Sequence, residues 1–371
     1  MAAGDLLKAT IDLEVVQPRL QQKYERSLRL VRDAQRLVLA PHPDADGFAA
    51  AAQLVTGFRI QDRRWNLLPI VSPSRSFSKE DLVELRRIKP DIITFLDVTP
   101  HDLKHINLLK QKSSIVIIDH HRVNREVLDA VLLGINPEPD IHSSAAAYTT
   151  GKLAYDLVGA GARADLALVS IMGDRTTESW RSFLKQFTED EIELAQRAAD
   201  RLSVIGSAIK VHQPEPRPAV LKRQRSLFTY LTHAKTLPSF LKSIESTKTL
   251  RTVFEEVESG VRAVAGKAQI SLESGVEFVH VPIKSASPWS VIKGVLSLLE
   301  LVVEGQTAIL SEPWSKGVEL RVLSNDPDID AAELLKGFGG GHSSIAGGHS
   351  AARTSEVVDL IRERWSQMKQ G

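Results

Sequence analysis

Short apolar runs alternate with segments of helical spacing through the first part of this 371-residue chain. Runs of this kind, several of them rich in Ile and Val, indicate strands that are buried on both faces of a parallel sheet. The five runs are Leu37–Ala40, Asn66–Ile70, Ile92–Leu96, Ile115–Ile118 and Val131–Ile135. We therefore expect an N-terminal α/β domain in which helices cover both faces of a parallel sheet.

Helical patterns flank this region. One helix is expected over residues 14–34, and helical spacing returns from Ala145 to about Leu202. Gly206–Ala219 contains three prolines and predicts an extended linker. A second helical region is predicted at Val220–Glu258.

A second set of strands and helices begins after Gly260. The predicted strands are Gln269–Leu272, Glu277–Val281, Thr307–Leu310 and Val318–Leu323, with helices near residues 288–301, 329–336 and 354–368. The chain is thus predicted to contain an N-terminal domain (residues 1–205), a linker with connecting helices (206–260) and a smaller α/β C-terminal domain (261–371).

Ionisable side chains follow three of the first five runs at the point where each ends. They are His42, Asp44 and Asp46 after the first run, Asp97 after the third, and Asp119, His120 and His121 after the fourth. A helix cap would explain Asp46 alone. Because the carboxyl ends of parallel strands meet at one edge, we expect all these side chains to lie close together. Asp174 adds a carboxylate after the apolar stretch Leu166–Met172, and divalent cations would neutralise such a cluster.

Composition narrows the chemistry of this cluster. The chain has no cysteine, which excludes disulfides, thiolate metal sites and cysteine nucleophiles. Histidine and carboxylate ligands suit harder ions such as Mn or Mg. The formal net charge of +1 means that any basic surface must be local. We expect a cytoplasmic protein without a membrane partner, because neither a signal-peptide pattern nor a run of ~20 apolar residues is present.

Taken in order, these motifs resemble those of the DHH phosphoesterases, a family named for an Asp-His-His triplet. DADG at 44–47, the aspartate of LDVT, DHH at 119–121 and the aspartate of MGD match the four N-terminal motifs of that family. FGGGHSSIAGG at 338–348 resembles the glycine-rich signature of the family's associated C-terminal domain.

The first motif departs from the pattern of many family members. Ala40 stands where those members have a histidine, and His42 instead precedes Asp44 by two residues. This HxDxDG arrangement resembles archaeal and RecJ-like members. His42 would either bind metal or hydrogen-bond a metal ligand.

The resemblance implies a centre with two divalent metal ions, with Mn preferred over Mg. The implied ligands are His42, Asp44, Asp46, Asp97, His120 and Asp174, of which Asp97 would bridge both ions. Asp119 and His121 are the implied catalytic residues. Asp119 would orient His120, and His121 would face the phosphate and protonate the leaving oxygen or stabilise the transition state.

The resemblance assigns substrate binding to the C-terminal domain. Arg321 in VELRVLS resembles the family's phosphate-contacting arginine, and a guanidinium suits a bidentate grip on phosphate. Gly339, Gly340 and Gly341 would let backbone amides approach an anion, and His342 would contact phosphate or base. A flexible hinge is the alternative interpretation of the glycine run.

The predicted function is Mn-dependent hydrolysis of phosphodiester or phosphomonoester bonds in nucleotides or short single-stranded oligonucleotides, through a water activated by two metals. A nanoRNase-like enzyme acting on very short oligonucleotides, cyclic dinucleotides or a 3′-phosphonucleotide is favoured, because aromatic residues make up only 5% and processive strand binding uses aromatic platforms. A RecJ-like single-strand exonuclease is the alternative. From another class, a non-catalytic nucleic-acid-binding or replication-associated relative is also considered, and a homodimer is left open.

Overall fold

The chain divides into two units by its internal packing. The first comprises the described residues up to Ser207 together with 216–251, and the second those from 252 onward. The computed structural model describes residues 28–60, 64–71, 75–121, 125–137, 148–207, 216–259, 277–282, 305–314, 317–324, 326, 328–341 and 345–370.

The first unit is built on a five-stranded parallel sheet with the order β2-β1-β3-β4-β5. The strands are β1 Leu37–Pro41, β2 Trp65–Leu67, β3 Ile92–Leu96, β4 Ser114–Ile118 and β5 Leu133–Ile135. The predicted parallel α/β architecture is therefore confirmed. The β2 strand ends earlier than predicted, at Leu67. Leu68 and Ile70 nevertheless still donate backbone hydrogen bonds to β1 at 2.9 Å.

Four helices connect these strands and fit the sequence locally. They are α1 Ala45–Gly57, α2 Lys79–Ile88, α3 Leu103–Lys110 and α4 Arg125–Ala130. Ser78 and Asp81 form a reciprocal capping box at the start of α2, which satisfies two otherwise unpaired N–H groups. The α1 helix is buried from Ala45 to Val55. Its alanine run therefore packs against neighbours on several sides and follows no simple amphipathic pattern.

The same unit contains further helices, several of which pack against α1. They are α5 Thr150–Val158, α6 Ala164–Gly173, α7 Arg181–Leu184, α8 Glu189–Ser207, α9 Arg217–His233 and α10 Leu237–Ser246. The predicted linker Gly206–Ala219 is wrong at both ends, because Gly206 still belongs to α8 and Arg217 already opens α9. Proline is compatible with the first helical turn, where its missing N–H costs no hydrogen bond. Residues 208–215 lie outside the described residues.

The second unit contains a mixed five-stranded sheet with the order β6-β7-β8-β10-β9. Its elements are β6 Phe278–Pro282, β7 Thr307–Trp314, β8 Gly317–Ser324, α11 Ala331–Leu334, β9 Gly339–Gly341, β10 Ile345–Ser350 and α12 Thr354–Gln370. Only the β6–β7 pair is parallel among the strand pairs of this described sheet. Its core includes Ile309, Val322 and Ile361.

Three sequence predictions concern residues that the structure does not describe. The strand at Gln269–Leu272 and the helix near 288–301 lie outside the described residues, as does most of the leading helix, of which residues 28–33 are helical. No helix in the described ranges is both long and apolar enough to span a bilayer.

Candidate metal centre

Backbone pairing continues past the ends of β1, β3 and β4 and fixes the residues that follow them. The N–H of His42 donates to Leu96 at 2.9 Å, and the N–H of Asp97 donates to Ile118 at 2.9 Å. The N–H of Asp119 donates to Ile135 at 3.0 Å. These residues lie at the carboxyl edge of the sheet, close to the β1/β3 position where the strand order reverses, which is the usual ligand site of open α/β sheets.

Asp97 lies at the middle of the site. Its backbone is left-handed, with φ of 59°, a conformation that is costly for a residue other than glycine and concentrates at functional sites. Its Oδ2 lies 3.6 Å from Nδ1 of His42. Its Oδ1 lies 3.3 Å from Nε2 of His120. The two oxygens of one buried carboxylate therefore face two different histidines.

His42, Asp44 and Asp97 form the first group of donor atoms. Nδ1 of His42 hydrogen-bonds Oδ2 of Asp44, while Oδ1 of Asp44 accepts from the N–H of Gly47 at 3.1 Å. Asp44 is thus the N-cap of α1, the position for which the sequence suggested Asp46. A Cβ on Gly47 would lie 2.3 Å from the carbonyl oxygen of His42, which explains the glycine of DADG.

Asp46, His120 and Asp174 form the second group. Nε2 of His120 lies 3.7 Å from Oδ2 of Asp46 and 3.3 Å from Oδ2 of Asp174. The carboxylate of Asp46 is held by the start of α5, because it accepts from the N–H groups of Thr150 and Gly151 at 2.8 and 2.6 Å. Asp174 directly follows α6. A third group, Asp97 with His120 and His121, connects the other two.

The donor set fits divalent cations. In each group the candidate donor atoms lie within 4.8 Å of one another. Within the described part of the chain, the buried Oδ2 of Asp174 has no hydrogen-bond partner. Burial and the neighbouring carboxylate of Asp46 raise the pKa of Asp97 and of Asp174 well above the ordinary range. Carboxylate oxygens and imidazole nitrogens without sulfur are the ligands of hard or borderline cations.

Asp119 lies beside His121, whereas the sequence suggested that it orients His120. Its Oδ1 accepts from Nδ1 of His121 at 2.8 Å and from the same residue's N–H at 3.1 Å. Its Oδ2 accepts from the hydroxyl of Thr99 at 2.6 Å. Burial opposes ionisation of Asp119, but the His121 imidazole holds its pKa well below the ordinary range. The ring of His120 faces Asp97 and Asp174, and Asp119 hydrogen-bonds His121 instead.

Four supporting residues escaped the sequence interpretation. They are Thr99, Asn136, Thr150 and Ser170. Asn136 follows β5 and donates to the carbonyl of His121 at 2.8 Å, so the same strand-end rule that selected the aspartates would have found it. Ser170 donates to Asp46 at 2.6 Å. It lies in an apolar helix, where the sequence pattern carries no signal for it.

The predicted substrate-binding residues that the structure describes lie close together in the second unit. Arg321 on β8 pairs with Gly347 on β10, which in turn pairs with Gly340 on β9. The glycine run is thus an edge strand, where the sequence suggested backbone that approaches an anion or a flexible hinge. A Cβ on Gly347 would lie 2.3 Å from Nη1 of Arg321, so the guanidinium rests on the glycine backbone. His342 lies outside the described residues.

Fold and site together define a parallel α/β domain with a cluster of carboxylate and histidine side chains that could hold metal ions. Residues 37–173 match the family model "DHH family, N-terminal domain". This match confirms, for the N-terminal domain, the resemblance to the DHH family seen in its motifs. No curated protein sequence matches the chain.

Solved structures share the fold at low sequence identity. RecJ from Thermus thermophilus in complex with Mn²⁺ has a TM-score of 0.60 and 17% identity, and the match covers 95% of this chain. The same match covers only 55% of that RecJ chain. The DHH domain of a protein assigned to a family of ribosomal proteins has a TM-score of 0.61 and 17% identity, covering 98% of this chain and 93% of that one. An exopolyphosphatase-related protein from Bacteroides fragilis has a TM-score of 0.50 and 13% identity, covering 95% and 98%.

Proposed function

We propose that this protein is a Mn-dependent phosphoesterase that hydrolyses phosphoester bonds in nucleotides or short single-stranded oligonucleotides. The observation that carries the proposal is the buried Asp97 carboxylate, whose two oxygens face two separate groups of carboxylate and imidazole donors. The DHH-family match supports it.

His42, Asp44 and Asp97 would hold one cation, and Asp46, His120 and Asp174 would hold a second. Divalent ions bound there would polarise a phosphoryl oxygen and lower the pKa of a water molecule, which is the chemistry of phosphoester hydrolysis. The hydrogen bonds from α5 to Asp46 keep that carboxylate oriented before a cation binds, which lowers the cost of assembling the site.

His121 would act on the substrate itself. Its Nδ1 is hydrogen-bonded to Asp119, which fixes the ring orientation and leaves Nε2 as the nitrogen that exchanges a proton with the leaving oxygen. Asp119 is in turn held by Thr99. Arg321 in the second unit would bind a substrate phosphate through its guanidinium.

The experiment that tests this function uses the purified full chain with Mn, with Mg and after EDTA treatment. The substrates are a dinucleotide, a 3′,5′-bisphosphonucleotide, a cyclic dinucleotide and a labelled long single strand. We expect Mn-dependent hydrolysis of the short substrates, loss of activity in Asp97→Asn, and full activity in Asp129→Asn, which changes an exposed aspartate on α4. Full turnover after exhaustive chelation contradicts the metal mechanism. Processive degradation of the long strand contradicts the short-substrate assignment in favour of an exonuclease.

A further inference from the structure

Thr150, the first residue of α5, contacts two carboxylates of the candidate metal centre at once. Its N–H donates to Oδ2 of Asp46 at 2.8 Å, and its hydroxyl donates to Oδ1 of Asp97 at 3.3 Å. All three residues are buried. Asp46 belongs to the second group of candidate metal donors, and Asp97 belongs to the first and third groups. One threonine therefore links carboxylates of different donor groups.

The two oxygens that Thr150 contacts face the same nitrogen atom. Nε2 of His120 lies 3.7 Å from Oδ2 of Asp46 and 3.3 Å from Oδ1 of Asp97. Oδ2 of Asp174, which has no hydrogen-bond partner in the described part of the chain, lies 3.3 Å from the same nitrogen. Three carboxylate oxygens thus converge on one point, and Thr150 donates to two of them.

The packing of α5 against α6 fixes the position of Thr150. The first N–H groups of a helix have no partner within it, so those of Thr150 and Gly151 are available to Asp46. The side chain of Thr149, the N-cap of α5, hydrogen-bonds the hydroxyl of Ser170 on α6. A Cβ on Gly151 would lie 2.6 Å from Cβ of Ser170, so the two helices are in close contact. Thr150 is therefore held in place without a cation.

The hydrogen bonds of Thr150 lie on one side of the Asp97 carboxylate. Oδ1 of Asp97 accepts from Thr150 and faces the second group, whereas Oδ2 faces His42 of the first group. Carboxylates this close together repel one another, and a hydrogen bond to each one orients it and disperses its charge. The contribution of Thr150 therefore falls on the second group.

We propose that Thr150 is a positioning residue that controls the affinity of the second cation site separately from the first. This inference rests on the proposed function, which assigns one cation to each group. The hydroxyl and the N–H of Thr150 would hold Oδ1 of Asp97 and Oδ2 of Asp46 toward that cation. Without the hydroxyl, the chain would keep its first cation and bind the second weakly.

The test is a calorimetric titration of the metal-free full chain with Mn, which counts the bound ions and gives their affinities. Thr150→Ser keeps both hydrogen bonds, Thr150→Val removes the hydroxyl, and Thr150→Pro also removes the N–H. Proline is compatible with the first position of a helix, and the extended ψ of 148° at Thr149 suits a following proline. Thr56→Val is the matched control, because the hydroxyl of Thr56 bonds the carbonyl of Ala52 within α1.

We expect wild type, Thr150→Ser and Thr56→Val to bind two Mn ions alike. Thr150→Val should bind one ion as wild type does and the other about 10–100-fold more weakly, the usual effect of losing a hydrogen bond to a metal ligand. Thr150→Pro should weaken the same ion further. Asp174 belongs only to the second group, so adding Asp174→Asn to Thr150→Val should still leave one ion at wild-type affinity.

Three results overturn the role of Thr150. They are wild-type binding of both ions in Thr150→Val, equal weakening of both ions in that variant, and loss of both ions in the double variant with Asp174→Asn. Hydrolysis of bis(p-nitrophenyl) phosphate by wild type in Mn is measured separately. If the ester is not hydrolysed, the proposed function fails, while the Mn titrations still decide whether Thr150 controls the second site.

Discussion

Nδ1 of His121 lies 2.8 Å from Oδ1 of Asp119 within the Asp-His-His triplet at 119–121. The neighbouring residue His120 is turned the other way, toward Asp97 and Asp174. Adjacent histidines therefore belong to different parts of the site. Both histidines belong to groups of candidate metal donors, but it is His121 that is oriented by Asp119, a carboxylate that a buried threonine also holds.

This arrangement predicts that Asp119→Asn lowers kcat without emptying the metal site. An amide keeps the shape of the carboxylate but removes its charge and fixes His121 less well, so we expect a loss of about 10²–10⁴-fold, the range of general acid–base catalysis. The measurement is kcat on bis(p-nitrophenyl) phosphate together with bound Mn. Thr99→Val is the graded control and should lower kcat less, because it removes one hydrogen bond to Asp119 but leaves the charge of the carboxylate and its contact with His121 in place. A large loss of Mn in Asp119→Asn would show that Asp119 supports the ligands instead.

Asp97→Ala should be more damaging than His42→Ala. Asp97 faces both donor groups, whereas His42 belongs to one and hydrogen-bonds Asp44. We expect Asp97→Ala to lose most bound Mn and all measurable turnover, and His42→Ala to keep part of both. Mn content and kcat are measured on the same preparations. Equal residual activity and metal content in the two variants would contradict the shared role of Asp97.

The metal-free protein should lose stability as the pH rises. Burial and neighbouring carboxylates raise the pKa of Asp97 and Asp174 above the ordinary value of 3.8. The folded chain therefore holds protons that the unfolded chain has released, and this contribution to stability disappears as the pH passes upward through the raised pKa values. Thermal unfolding after EDTA treatment should show a Tm that falls as the pH rises above the ordinary carboxylate value of 3.8, and Mn should reverse the fall because it replaces these protons.

A matched pair of variants tests the source of this pH dependence. Asp174→Asn removes one carboxylate from the cluster. When both proteins are metal-free and at high pH, this variant should have a higher Tm than wild type. Asp129→Asn, on the exposed surface of α4, should follow wild type throughout. Identical pH profiles for wild type and Asp174→Asn would mean that the cluster does not control the stability of the metal-free protein.

Lys152 and Asp156 form a buried ion pair on α5, and Lys152 directly follows the two residues whose N–H groups hold Asp46. Nζ of Lys152 lies 2.7 Å from both carboxylate oxygens of Asp156 and 4.4 Å from the ring centroid of Trp180. Because Lys152→Met removes the cation beside the buried Asp156 carboxylate, this variant should lower the free energy of unfolding by about 3–5 kcal/mol. Urea unfolding gives this value.

The control for this prediction is an exposed pair of the same kind. Lys336 lies 2.9 Å from Glu333, and both side chains are largely exposed. Lys336→Met should therefore change the free energy of unfolding by less than about 1 kcal/mol. Adding Asp156→Asn to Lys152→Met should recover part of the loss, since the uncompensated charge is gone. If Lys152→Met lowered the free energy of unfolding by less than Lys336→Met does, the buried pair would not be stabilising.

The sequence predicted the parallel sheet and the strand-end cluster because both depend on local patterns. Buried runs such as Ile115–Ile118 are visible without any knowledge of contacts, and parallel topology then brings their ends to one edge. The tertiary hydrogen bonds could not be seen in this way. Ser170 hydrogen-bonds Asp46 from 124 residues away in the sequence. Asp119 bonds to His121 and not to His120 because of the direction of the side chains, which cannot be deduced from the spacing of the residues.

The glycine run shows the same limit in the second unit. Gly339–Gly341 suggested backbone that approaches an anion or a flexible hinge, because glycine permits close approach and unusual backbone conformations. The structure places these residues in β9, paired with the glycines of β10. Long-range pairing with another glycine-rich strand overrides the local preference.

The contact between Arg321 and Gly347 predicts that a methyl group on the glycine has the effect of removing the arginine. Gly347→Ala would place a Cβ 2.3 Å from Nη1 of Arg321 and displace the guanidinium. Both Gly347→Ala and Arg321→Ala should weaken substrate binding by about 1.5–3 kcal/mol, the contribution of a charge-assisted hydrogen bond. Since the two changes act through one group, the double variant should be no weaker than Arg321→Ala. KM and bound Mn are measured for all four proteins, and Mn should be unchanged. Additive losses in the double variant would mean that Gly347 acts on substrate independently of Arg321.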